Sequence, residues 1–201
     1  MCPAQPEVRD QAEQWPVVRS ADLHRDRWVV ALREDWVRRP GPEHAESEPF
    51  RRVVMEHPGA AVVLAVDDDE RVLCLWQYRH AVGRRFVEVP AGLLDQPGEE
   101  PLDVARRELV EEAGYEAEEW THLVSTYASP GISAELAHLY LARGLRHVGR
   151  QGFTPEHEEA EMETGWVPFA ELRAAVLDGR VQDAPVVIAV LTADARGLMS
   201  T

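Results

Sequence analysis

Hydrophobic positions along the chain fall into short runs typical of β-strands and into one segment with helical spacing. Residues 60–66 and 71–78 are β-rich runs on either side of the charged segment 67–70, and this arrangement predicts a β-hairpin. A third short strand is predicted at 86–89, because Pro90 follows it and cannot continue a strand ladder. The sheet of the protein is therefore expected to begin near residue 60.

The second half of the chain alternates between helical and strand patterns. Residues 101–113 have helical spacing, acidic residues near the first turn and Gly114 after the last turn, which predicts a helix. The other predicted elements are strands at 121–127, 136–142 and 163–167, a polar loop at 144–161, and helices at 169–178 and 185–195. Asp183 is expected to cap the last helix. This mixture predicts an α/β or α+β fold.

The first part of the chain has a different pattern. Residues 1–14 are polar and contain two prolines, which favours a flexible N-terminus. Residues 15–57 hold short β-like pieces separated by a Pro-Gly-Pro turn and an acidic stretch, so we expect a small lobe of antiparallel strands. Residues 58–196 are then the main domain.

Composition and charge narrow the function. The chain has 201 residues, with 36 Asp plus Glu against 21 Lys plus Arg and a formal charge of −15. This charge opposes nucleic acid and anionic membranes, and favours a small anion bound through arginines or divalent metals. Cys2 and Cys74 are far apart in the sequence, so no disulfide or zinc site is expected, and a reduced cytoplasm is the expected location. The sequence also has no apolar run of the roughly 20 residues that a membrane-spanning helix needs.

Three glutamates stand out on the predicted helix. At 3.6 residues per turn, Glu108, Glu111 and Glu112 fall on one side, and we expect them to face away from the core. The apolar stripe of the same helix consists of Leu102, Ala105, Leu109 and Ala113. Clustered like charges repel, and a hard divalent ion would turn that repulsion into attraction for a phosphate. Three glutamates alone are equally typical of a solvated acidic face, so they leave both interpretations open.

Segments 92–99 and 107–115 together resemble the signature of the Nudix hydrolases. That signature has a glycine, a spaced glutamate, then Arg-Glu-aliphatic-x-Glu-Glu-x-Gly-aliphatic, and Glu99 precedes Arg107 by the family's spacing. This sequence departs from the signature twice: six residues rather than five separate Gly92 from Glu99, and Tyr115 replaces an aliphatic residue. The resemblance implies a Nudix-type α/β/α sandwich with a mixed sheet.

The resemblance also implies a metal site. Its ligands would be Glu108 and Glu112, assisted by Glu111, Glu99 and the carbonyl of Ala91. The implied cofactor is Mg²⁺, with Mn²⁺ as an alternative, and Arg107 is expected to pair with an acid such as Glu99 or Glu111. Glu111 and Glu112 are also implied in catalysis.

Segment 77–92 resembles the ADP-ribose pyrophosphatase branch of the family. In that branch an arginine before the signature contacts the diphosphate, which implies this role for Arg79, while Glu88 would bind the ribose hydroxyls. Arg84 is a further candidate for substrate binding, although an arginine that covers a surface loop is equally expected. Pro130 follows Gly114 by 16 residues, as in this branch. The implied reaction is hydrolysis of ADP-ribose, or of a related ADP-sugar, to AMP and ribose 5-phosphate.

Two assignments remain open in the sequence. The general base that activates water would be Glu135 or a glutamate of the run 156–161, such as Glu159, and the sequence does not choose between them. By resemblance the N-terminal lobe would form a homodimer and offer an aromatic residue to the adenine, for which Trp28 and Trp36 are candidates.

Three alternative functions are compatible with parts of the sequence. The protein could hydrolyse another nucleoside diphosphate derivative, or bind a nucleotide sugar as a Nudix-fold sensor without cleaving it. The retained signature glutamates disfavour the sensor. The Glu-x-x-His spacings at 119–122 and 135–138 match di-iron helical bundles, but these segments are predicted as strands.

Overall fold

The computed structural model describes residues 8–25, 31–96, 98–150 and 161–199. The chain divides into two compact units, Met1–Met55 and Glu56–Thr201. The first holds a three-stranded sheet in the order β1-β2-β3, with β1 and β2 antiparallel. Its strands are β1 (Val17–Arg25), β2 (Ala31–Val37) and β3 (Phe50–Glu56).

Among its described residues, the second unit contains two further sheets and three α-helices. Its strands are β4 (Ala60–Ala65), β5 (Arg71–Arg79), β6 (Arg84–Glu88), β7 (Ala91–Leu93), β8 (Tyr115–Tyr127), β9 (Leu136–His147) and β10 (Glu163–Pro168). Its helices are α1 (Pro101–Ala113), α2 (Phe169–Leu177) and α3 (Ala184–Ala195). One sheet has the order β7-β4-β9-β8 and the other the order β10-β5-β6.

Strand β4 is the centre of the second unit. It pairs in parallel with β9 and antiparallel with β7, so its sheet is mixed. Its side chains alternate between two buried clusters, because successive strand residues point to opposite faces. Val62 and Leu64 pack in the cluster that contains residues of α2 and α3, whereas Ala61 and Val63 pack in the cluster that contains residues of α1. Helices therefore cover both faces, and the predicted α/β/α sandwich is confirmed.

The predicted hairpin between residues 60–66 and 71–78 is wrong. Both strands form, but they belong to different sheets. Among the described residues they are linked by an isolated bridge between Val66, which follows β4, and Val72, and by a hydrogen bond from the N–H of Asp67 to the carbonyl of Arg71 at 3.0 Å. Strand β4 already has β7 and β9 on its two edges, and β5 has β6 and β10, so neither strand has a free edge for the other. Periodicity predicts strands, but it does not predict which strands pair.

Helix α1 forms where its sequence signals predict it. Proline occupies the first turn, and Gly114 ends the helix with a φ of 74°, a left-handed conformation that glycine adopts at low cost. Asp183 caps α3 by accepting a hydrogen bond from the backbone N–H of Val186 at 3.0 Å, as predicted. Across the described ranges, no helix has both the length and the apolar character needed to span a membrane.

Strands β8 and β9 are longer than predicted. β8 begins at Tyr115 directly after α1, and β9 continues to His147, so the loop predicted from residue 144 begins too early. The two strands pair, with one register shift between His122 and Val124, up to Tyr115 and His147, whose rings also contact each other. Cross-strand pairing extends the strands through residues that are polar enough to be interpreted as a loop.

Candidate active site

One cavity of about 640 Å³ in the second unit collects most of the residues that the sequence singles out. The predicted site residues that line it are Arg79, Glu88, Ala91, Glu108, Glu111, Glu112 and Glu135. They come from both sheets of this unit, from α1 and from the segment before β9. Among the predicted residues that the structure describes, Arg84, Glu99 and Trp36 are outside this lining.

Glu112 is the most deeply placed of the three helix glutamates. Its side chain is buried, with 8% of the residue exposed, and its Oε2 accepts a hydrogen bond from the backbone N–H of Ala91 at 2.9 Å. Glu112 lines the cavity with Glu108 and Glu111 and lies outside both apolar clusters, so the acids face away from the core as predicted, although the start of β7 covers Glu112. A charge-assisted bond from a backbone N–H fixes the position of this carboxylate.

Gly92 lets strand β7 approach the side chain of Glu108. A Cβ atom built on Gly92 would lie 2.0 Å from Oε1 of Glu108, far inside van der Waals contact. The φ of Gly92 is not in the left-handed region, so the reason for glycine here is space rather than backbone conformation. This glycine thus allows the Glu108 carboxylate to lie against the β7 backbone.

Arg107 holds the glutamates around it. Its guanidinium donates to Glu108 at 2.6 Å, to Glu111 at 3.3 Å and to both oxygens of Glu99 at 3.3 Å. Burial opposes the positive charge, but these acidic contacts dominate and raise the pKa of Arg107. The predicted pairing of Arg107 with Glu99 or Glu111 is confirmed, and Glu99 acts through Arg107 rather than from the cavity wall.

The donor chemistry of this helix fits a divalent metal. Glu108, Glu111 and Glu112 bring only carboxylate oxygens to the cavity, together with the backbone of Ala91, and hard cations such as Mg²⁺ prefer oxygen ligands. In the described part of the chain, no three His, Cys, Asp or Glu side chains form a ready-made metal cage. Arg107 supplies the neutralising positive charge here.

Arg79 and Glu88 form an ion pair at one corner of the cavity. Arg79, at the end of β5, donates to Oε1 and Oε2 of Glu88 on β6 at 2.8 and 2.6 Å. The hydrogen bond to Glu88 raises the pKa of Arg79. Arg84 instead donates to the side chain of Gln182 at 2.9 Å, which places it beside the start of α3.

The sequence analysis identified Asp183 only as a helix cap, but its side chain also lines the cavity. Burial raises the pKa of Asp183 to about 6, and the negative charge of Glu88 adds to the rise, while the N–H of Val186 and the charge of Arg79 oppose it. A perturbed acid inside a cleft is a typical functional residue. The sign of this second role in the sequence is that the cap is a charged Asp, although a neutral Asn or Ser would cap the helix about equally well.

Other predicted site residues have different outcomes. Glu135 lines the cavity, and its backbone N–H is held by the hydroxyl of Ser133 at 3.1 Å. Trp28 and Glu159 lie outside the described residues. Tyr115, the departure from the family signature, packs edge-to-face on Trp166 with ring centroids 5.6 Å apart, so its ring fills a packing role on β8.

Comparisons with known proteins agree with this geometry. Residues 55–190 match the NUDIX domain family. The chain is 45% identical over 169 residues to an ADP-ribose pyrophosphatase of Mycobacterium tuberculosis (strain ATCC 25618 / H37Rv), covering 83% of this chain and 77% of that protein. It is 35% identical over 162 residues to a methanol dehydrogenase activator of Bacillus methanolicus, covering 81% and 83%.

A solved structure supports the same architecture. The crystal structure of an ADP compounds hydrolase superposes with a TM-score of 0.73 at 19% identity, and the match covers 94% of this chain and 98% of that chain. At this identity the likeness concerns the fold. The resemblance that segments 92–99 and 107–115 suggested is confirmed, and the chain belongs to the Nudix family.

Proposed function

We propose that this protein hydrolyses the diphosphate bond of ADP-ribose, or of a closely related ADP-sugar, to AMP and ribose 5-phosphate with the help of Mg²⁺. The observation that carries the proposal is the shared cavity. Arg79 lies in the same cavity as Glu108, Glu111 and Glu112. A cation that can hold a phosphate therefore faces a set of oxygen donors that can hold a metal.

The similarity to the Mycobacterium tuberculosis protein supports the choice of substrate. That relative is called an ADP-ribose pyrophosphatase, and the alignment at 45% identity covers most of both chains. The segment from Arg79 to Gly92, which resembles the same branch, contributes Arg79, Glu88, Ala91 and Gly92 to the cavity wall. Relatives with other names, such as the methanol dehydrogenase activator, make a direct substrate test necessary.

The residues of this chain have distinct tasks in the proposed reaction. Arg79 binds the diphosphate as a charged two-point donor. Glu108 and Glu112 hold the metal, with Glu111 and the Ala91 carbonyl nearby and Glu99 acting through Arg107. The bound metal supplies neutralisation of the diphosphate charge and a lower pKa for a water molecule.

A carboxylate must also take the proton of the attacking water. Glu135 lines the cavity from the segment before β9, and its backbone is fixed by Ser133, so it is our first choice. Glu111 is the second choice within the described residues, since its side chain is one-third exposed in the same cavity. Glu159 remains a sequence-based candidate.

The test is a metal-dependent assay with a panel of substrates. The protein is incubated with ADP-ribose and Mg²⁺, with and without EDTA, and the nucleotides are separated by chromatography. ADP-glucose, NADH and GDP-mannose are assayed in parallel. We expect AMP from ADP-ribose at the highest kcat/KM, and no AMP when EDTA is present.

Two results would contradict the proposal in different ways. Faster cleavage of another panel member would retain the Nudix reaction and exclude ADP-ribose as the preferred substrate. Binding without cleavage of any compound would favour a nucleotide-sugar sensor.

We also propose a homodimer formed through the N-terminal lobe, residues 15–57, in the cytoplasm. Strand β1 is an edge strand, is exposed along its whole length, and presents Val17, Val18 and Leu23 to solvent. Unpaired edges with apolar side chains favour pairing with another chain. Sedimentation of the wild-type protein should give the mass of two chains, and Val18→Asp should shift it to one; a wild-type monomer would contradict the proposal.

A further inference from the structure

Asp183 is placed at the junction of three elements. It precedes α3, lines the cavity, and lies close enough to Arg79 on β5 and Glu88 on β6 to interact with both charges. Its Oδ2 accepts the backbone N–H of Val186 at 3.0 Å, so this oxygen fixes the orientation of the carboxylate. The side chain is thus fixed at the start of α3 and lines the same cavity as Arg79 and Glu88.

Glu88, the neighbouring carboxylate, is already engaged. Each of its two oxygens accepts a guanidinium N–H of Arg79, at 2.8 and 2.6 Å, and only 7% of the residue is exposed. A hydroxyl group entering the cavity would have to compete with a charged bidentate contact for these oxygens. Glu88 is therefore better suited to holding Arg79 than to accepting a new donor.

The cap of α3 does not require a carboxylate. Asn and Ser cap helices about as well as Asp, and neither brings a negative charge into a buried corner beside Glu88. The charged residue is costly at this position, as the raised pKa of Asp183 indicates. A costly acid inside a cleft is explained when its charge acts on a ligand.

We propose that Asp183 is a specificity residue, whose carboxylate accepts a hydrogen bond from a hydroxyl of the sugar attached to the diphosphate. Arg79 binds the phosphate side of this group, and Asp183 binds the sugar beside it. The inference rests on the proposed function, because it assigns the sugar-binding part of the same site to Asp183 instead of Glu88.

Hydroxyl recognition by a charged acceptor gives strong selectivity. A hydrogen bond to a charged group is stronger than one between neutral groups, and a site built for a hydroxyl discriminates against ligands that lack it. Removal of the charge should therefore weaken the binding of ligands with a second sugar and leave the binding of ligands without one unchanged. This selective loss distinguishes recognition from a general loss of structure.

The experiment compares two ligands and two variants. Affinities for ADP-ribose and for the β-methyl ester of ADP, which has the same diphosphate but no second sugar, are measured by calorimetry at pH 8 with EDTA to prevent hydrolysis. Asp183→Asn keeps the cap and the shape of the side chain. Asp178→Asn, at an exposed aspartate after α2, removes the same charge at a residue that does not line the cavity.

We expect Asp183→Asn to weaken the affinity for ADP-ribose about tenfold and to change the affinity for the methyl ester less than twofold. Asp178→Asn should change neither affinity. Equal weakening of both ligands, unchanged affinity for both, or a wild-type protein that does not prefer ADP-ribose would each overturn the inference. Because binding is measured without turnover, failure of the proposed hydrolysis is detected separately in the metal-dependent assay.

Discussion

Arg79 and Glu88 meet through two hydrogen bonds, at 2.8 and 2.6 Å, between adjacent antiparallel strands. The Arg79 side chain is about half exposed, at 51%, whereas that of Glu88 is 9% exposed. The buried acid therefore fixes one edge of the guanidinium, while the rest of the group remains open to the cavity. A cation held in this way loses little further freedom when it binds a phosphate.

The first prediction concerns the geometry of Arg79. Arg79→Lys retains the charge but loses the planar pair of donors, so we expect KM for ADP-ribose to rise about tenfold. Steady-state kinetics measures the change. Arg180→Lys, at an exposed arginine paired with Asp178, is the matched control and should leave KM unchanged. An unchanged KM for Arg79→Lys would exclude a two-point phosphate contact.

The second prediction concerns Glu112. Glu112→Gln keeps an acceptor for the N–H of Ala91 but removes the charge that would hold the metal, so we expect kcat to fall about 100-fold or more while the melting temperature changes little. The control is Glu171→Gln, at an exposed position in the first turn of α2. Near-normal turnover of Glu112→Gln would rule out the proposed metal site.

The third prediction separates space from charge at Gly92. Gly92→Ala places a methyl group where the Glu108 carboxylate lies, so the flexible side chain must turn away and activity should fall about tenfold or more. Gly131→Ala is the control, because its Cβ would meet no atom within 4 Å.

A double-mutant cycle tests the cause of this loss. If Gly92→Ala acts by displacing Glu108, it should cost little further activity in a Glu108→Gln background. Additive losses would show that the added methyl group acts elsewhere.

The fourth prediction concerns the charge of Arg107. Arg107→Gln leaves Glu99, Glu108 and Glu111 facing one another without their shared cation, and we expect a loss of about 1–3 kcal/mol in the free energy of unfolding. Added Mg²⁺ should restore part of it. Arg106→Gln, at the adjacent and more exposed arginine, should change stability by less than about 0.5 kcal/mol. Equal losses for the two variants would contradict a central role for Arg107.

The fifth prediction follows from the raised pKa of Asp183, about 6 in the fold against 3.8 for the unperturbed group. The fold binds this proton more tightly than the unfolded chain does, so the stabilising effect of protonation is complete below pH 3.8 and is lost as the pH rises through 6. Asp183→Asn carries no such loss. The free energy of unfolding of the variant, relative to that of wild type, should therefore rise by about 1–2 kcal/mol between pH 5 and pH 8, measured by urea unfolding. A constant difference across this range would contradict the shifted pKa.

The sequence predicted the individual helices and strands better than it predicted which strands pair and which side chains are buried by other elements. Helix α1 was predictable because Pro101 and Gly114 mark its ends through backbone chemistry alone. The pairing of β4 was not, because it depends on β9, which lies far along the chain. Helical periodicity likewise placed Glu112 beside Glu108 and Glu111, but its burial depends on the approach of β7.

The same limit applies to the candidate site. Signature residues such as Glu108 could be identified by spacing, since they share one helix. Asp183 could be recognised only as a cap, because the cavity that it shares with Arg79 and Glu88 is built from three elements that are separate in the sequence. The residues next to Asp183 in the sequence therefore indicate its role as a helix cap, but not its place in the cavity.

In the part of the chain that the structure describes, the isolated Val66–Val72 bridge, directly after β4, is the one point of ladder pairing between the two sheets of the second unit. Arg79 and Glu88 belong to one sheet, while Ala91 belongs to the other sheet and the helix glutamates pack beside it. The short connection Val89–Pro90 joins β6 to β7, and the carbonyl of Pro90 accepts the N–H of Val63 at 2.8 Å. The spacing between the phosphate-binding and metal-binding groups therefore depends on this connection and on core packing between the sheets, not on a hydrogen-bonded ladder that runs through both. Selection can adjust that spacing to diphosphates with different attached groups by exchanging core side chains, and leave every residue that touches the substrate unchanged.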